Sequence, residues 1–176
     1  IKSSAASDVY KRQSMDHVFV VGTAGYDTVD VYGYGGVLAG EMNNVSITNC
    51  GVRDMELVSQ EIQKNTLYLG GLAGVQGSGS PIENVYVQGS IHTSFQNAGG
   101  IAGTSGSPIK KVWSYVDINS ISDNLGGIVG KLTAQVSLES LVSLGNIYTT
   151  SSNTGASGAV QRIVGTSAVS YTHLTL

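Results

Sequence analysis

The chain has one cysteine, two prolines and few charges among its 176 residues, and each scarcity closes off a class of protein. A lone Cys50 excludes an intrachain disulfide framework. Two prolines exclude collagen and proline-rich disorder. No stretch approaches the roughly 18 uninterrupted apolar residues of a membrane-spanning helix. Charged residues make up 12% of the chain and the net charge is -3, so there is no electrostatic case for nucleic acid. Glycine is what the chain has in excess: 24 residues, about twice ordinary usage. With 41% hydrophobic residues beside it, the composition can bury a core and points to a turn-dense β protein.

The two ends read differently from the middle. Lys2 to Gln13 and Val169 to Leu176 resemble translated sequencing-adapter read-through, and the first residue is Ile rather than Met. The expectation is a reading frame truncated at both ends, with 1–13 and 169–176 as non-native tails around a repeat domain at 14–168. Without Lys2, Asp8, Lys11 and Arg12 the body keeps 6 basic and 11 acidic residues, a net charge of -5. On that expectation a missing signal peptide says nothing about location.

Two motifs alternate along the body. The pentapeptide Gly-Gly-Leu/Ile-Ala/Val-Gly occurs at Gly70 to Gly74, Gly99 to Gly103 and Gly126 to Gly130, with degenerate copies ending at Gly40 and Gly165. Between them lies a strand motif, clearest as Ile82-Glu-Asn-Val-Tyr-Val-Gln-Gly-Ser-Ile91, which recurs from Met15, Ile109 and Leu138 and more weakly from Ile47. Successive starts are 32, 35, 27 and 29 residues apart, in the range of solenoid repeats. Each unit buries its apolar face only against its neighbours, so a stacked coil is the natural solution. The expected fold is all-β, a parallel β-solenoid of about five glycine-rich repeats.

The period inside the strand motif is two. Val85, Val87, Gly89 and Ile91 point one way and Tyr86, Gln88 and Ser90 the other, as in a strand. Val112, Ser114, Val116 and Ile118 repeat the inward set. Phe19, Tyr86 and Trp113 then fall in one outward column, and coils about 4.8 Å apart would align them as an aromatic ladder. That ladder could be structural or could form a binding platform. The glycines Gly40, Gly74, Gly103, Gly130 and Gly165 are read as structural, both because Gly tolerates φ > 0 and because a missing side chain lets backbones approach at a corner. The central Leu38, Leu72, Ile101, Ile128 and Ile163 form a second expected inward column.

The second unit departs from this pattern. After Cys50, Asp54 and Glu56 take the places of Gly89 and Ile91 while Met55 and Leu57 are apolar. A one-residue slip swaps faces, so a bulge is expected between Gly51 and Met55. The polar stretch Val58 to Thr66 is expected to be a protruding loop or short helical turn.

These residues carry a resemblance. The pentapeptides are similar to the GLUG motif of bacterial surface proteins. The succession Gly-Gly-Ile-Ala-Gly, Ile109-Lys-Lys-Val-Trp-Ser-Tyr-Val116, Gly-Gly-Ile-Val-Gly, Leu141-Val-Ser-Leu-Gly-Asn-Ile147 and Gln161-Arg-Ile-Val-Gly165 resembles the N-terminal region of the IgA-specific zinc metallopeptidases of Gram-positive bacteria. The resemblance covers about residues 15 to 166, and GLUG repeats also occur in adhesins. It implies a secreted, cell-wall-anchored parent with this region upstream of a protease domain, and a host glycoprotein or immunoglobulin as the parent's partner. Zinc is expected only in that missing domain, and no cofactor, metal or catalytic residue is assigned here.

The catalytic signatures that chemistry requires are missing from this sequence. A zinc peptidase uses H-E-x-x-H, but His17, His92 and His173 are not followed by Glu. Gly126 to Leu132 has a superficial likeness to a phosphate loop, yet Leu125 and Leu132 stand where Gly and Ser or Thr are needed. No Ser has Gly at both flanking positions of a nucleophile elbow. Cys50 falls at the inward position of Val85 and reads as a buried thiol. Asp27, Asp30, Asp54 and Glu56 are weighed as paired carboxylates or calcium ligands, but their spacing matches neither, and solvated loop acids are the plainer reading.

Overall fold

The computed structural model describes residues 13–16, 18–21, 28–30, 34–59, 68–94, 97–121, 124–149 and 160–167. Among these residues every regular element is a strand, and the strands form three parallel sheets of nine, five and five strands. Each of five coils adds to all three sheets in turn, which is the architecture of a parallel β-solenoid.

The long sheet is built from the strand motif. The third and fourth coils contribute the 12-residue strands Ile82–Thr93 and Ile109–Ser120, and the fifth contributes Leu138–Ser143 and Ile147–Thr149. The second contributes Val45–Thr48 and Gly51–Ser59, the first Gln13–Asp16, Phe19–Val21 and Thr28–Asp30. Met15, Ile47, Ile82, Ile109 and Leu138 form one register column, as the repeat alignment requires. Val85, Val112 and Leu141 form another. The alternation holds at side-chain level: in Ile109–Ser120 the residues from Val112 to Ser120 alternate strictly between buried and exposed.

The pentapeptide makes the link between the two short sheets. Asn97–Gly99 runs in one and Ala102–Ser105 in the other, with only Gly100 and Ile101 between them. At this corner each coil hydrogen-bonds to the next through its central residue: the amides of Leu38, Leu72, Ile101 and Ile128 donate to the carbonyls of Leu72, Ile101, Ile128 and Ile163 at 3.0, 2.9, 2.9 and 2.9 Å. Leu72, Ile101 and Ile128 are fully buried, and Leu38 and Ile163 pack at the two ends of the column.

Of the two reasons offered for the glycines, close approach is the operative one. None of Gly40, Gly74, Gly103, Gly130 and Gly165 takes a left-handed φ; a Cβ on Gly103 would instead lie 2.5 Å from the amide nitrogen of Leu69 in the preceding coil. On Gly126 it would lie 1.9 Å from the carbonyl oxygen of Val129. At these glycines the two short sheets therefore meet backbone to backbone. Among the described residues the left-handed positions include Asn49, Asn84, Lys111 and Ser140, the third residue of the strand motif in four successive coils. Each bends the long sheet at its start, and Asn tolerates this conformation better than most residues.

The expected bulge is present. Val87 pairs with Val52 but Gly89 pairs with Met55, so the second coil carries one extra residue, with Asp54 at φ 54°. Val58 and Ser59, read as the start of a loop, remain in the strand and pair with His92 and Thr93. Their strand continues because the bulge restores the inward phase at Met55 and Leu57, both buried. The remainder of that expected loop, from 60 to 66, lies outside the described residues, as do 1–12 and 169–176 of the expected tails.

Candidate functional site

The outward face of the long sheet is where the exposed aromatic residues gather. Tyr86 and Trp113 occupy one register column and stack with ring centroids 5.2 Å apart and planes 13° from parallel. Rings this close and this nearly parallel face one another, so the stack covers one face of each. Tyr86 also leans over Gly51, where an added Cβ would come within 2.2 Å of its ring. The column reads Phe19, Gly51, Tyr86, Trp113 and Val142, so glycine interrupts the expected ladder between Phe19 and Tyr86. Phe19 has its backbone in register, and its side chain lies outside the described residues. With one face of each ring covered by the stack, the pair holds adjacent coils together; such pairs are worth about 0.5–1.5 kcal/mol beyond area burial.

The charges on this face are neutralised locally. Lys111 pairs with Glu83 at 2.9 Å and Lys110 with Glu139 at 3.0 Å, each across one coil spacing. The hydrogen bond and charge of Lys111 hold the Glu83 carboxyl below the usual carboxylate range, and Glu83 in turn raises Lys111. Hydrogen bonds from Ser137 and Lys110 lower Glu139. Asp117 accepts hydrogen bonds from both the backbone amide and the side-chain amide of Asn146. At the left-handed corner a polar ladder runs alongside: Asn84 donates to Asn49, and Asn49 and Thr48 donate to Asp16.

The remaining candidates are dispersed. His92 lies within the strand Ile82–Thr93, 4.0 Å from Glu56. Glu56 is exposed and Asp54 sits on the bulge, while Asp27, the side chain of Asp30, His17 and His173 lie outside the described residues. Among the described residues no three His, Cys, Asp or Glu side chains converge. Cys50 is buried, its Sγ donating to the carbonyl oxygen of Thr48 at 3.1 Å. In the phosphate-loop look-alike the amides of Gly127, Ile128 and Val129 already donate to carbonyls of Gln161 and Ile163, so they cannot cradle an anion.

Sequence reasoning passed over Tyr115, Val142 and Leu144. All three are exposed, beside Trp113, on the outward face. The signal was available: the same alternation that put Trp113 outward puts a large apolar residue at each of these positions. A second aromatic stack, Tyr34 on Tyr68 at 5.4 Å in a short sheet, was also missed. Comparison with protein-family models, curated proteins and solved structures returns no match for this chain.

Proposed function

We propose that this chain is a noncatalytic repeat region of a secreted, cell-wall-associated IgA-specific zinc metallopeptidase, serving as spacer, scaffold or substrate-positioning surface. The observation that carries the reading is the unbroken register of the Met15, Ile47, Ile82, Ile109 and Leu138 column, because it makes the body a rod of stacked coils. A rod of this kind holds other parts of a protein at a set distance and offers a long lateral face. The resemblance of the alternating motifs supplies the parent family.

Recovery of the complete gene tests the assignment. An H-E-x-x-H motif downstream of these repeats supports it, whereas further repeats leading to a wall anchor without that motif overturn it in favour of a surface adhesin. The purified chain is expected to leave IgA uncut and to hold no stoichiometric zinc. Zinc-dependent cleavage by this chain alone, abolished by a chelator, would overturn the noncatalytic reading.

A further inference from the structure

We draw no further inference here: the strongest candidate, the exposed apolar patch of Trp113, Tyr115, Val142 and Leu144 on the outward face of the long sheet, carries nothing because nothing in the structure shows what covers it.

Discussion

The strands Gly51–Ser59 and Ile82–Thr93 carry the same motif and lie side by side, but only the second runs without interruption. Ile82–Thr93 matches Ile109–Ser120 in a single phase along its whole length, whereas against Gly51–Ser59 it meets an extra residue at Asp54. The cost of that residue falls on the neighbour. Gly89, opposite the bulge, takes φ 150°, and a Cβ there would lie 2.2 Å from the carbonyl oxygen of Met55. One coil further on, away from the bulge, the same column holds Val116, buried. The comparison teaches that a solenoid tolerates an insertion in one coil if the adjacent coil gives up a side chain at the point of contact.

The largest effect should come from a position that the bulge does not touch. Gly126→Val places a side chain where even a Cβ would sit 1.9 Å from a backbone oxygen of its own coil and 2.6 Å from the Gly165 amide nitrogen of the next. A loss of about 4 kcal/mol or more is expected, enough to abolish the cooperative thermal transition. Gly106→Ala, in a turn where the nearest atom is the Thr133 hydroxyl at 3.0 Å, should cost about 1 kcal/mol or less. Equal losses in the two variants would refute the backbone-contact account of the pentapeptide.

Next comes the bulge. Gly89→Ala should cost about 2–3 kcal/mol by denaturant titration, from the clash with Met55 and the strained φ together. A neutral result would mean that the bulge relaxes freely and that the two strands differ less than their registers suggest.

A smaller effect of opposite sign is expected at Ser114. Its hydroxyl is buried without a hydrogen-bond partner, at the column position that Val87 fills in the preceding coil. Ser114→Ala should raise stability by about 1 kcal/mol, since it removes an unsatisfied polar group. A fall in thermal midpoint would reveal a partner for the hydroxyl.

The smallest effect concerns the exposed pair Glu83 and Lys111. The carboxyl of Glu83 is held below its ordinary range, so its contribution is complete above that range and disappears as pH falls through the lowered value. Lys111 is raised by the same pairing, so the contribution is also lost in strong alkali, as pH rises through the raised value. The thermal midpoint of Lys111→Met should therefore differ slightly from the parent at neutral pH and converge with it in acid. A gap that widens in acid would contradict the pairing.

Much of this was legible in the chain because repeats turn a local pattern into a spatial one. Once Val85, Val112 and Leu141 share a motif position, stacking forces them into register, and the phase error at Asp54 announces its own bulge. The apolar patch was less legible. Trp113 reads as part of a ladder, while Val142 and Leu144, both exposed, belong to no aromatic series. Phe19 joined the ladder on sequence grounds alone, and the glycine at position 51 breaks it.

By itself the sequence determined the repeat period, the alternation of faces, the inward columns and the place of the bulge, because each follows from spacing along one strand or from one unit to the next. The tertiary structure decided why the pentapeptide needs glycine, where the left-handed corner falls, which amides are already spent and which apolar side chains stay uncovered. Those depend on how closely backbones approach across the stack, from Gly103 to the Leu69 amide and from Gly126 to the Val129 carbonyl, and a distance between coils is written in no single repeat.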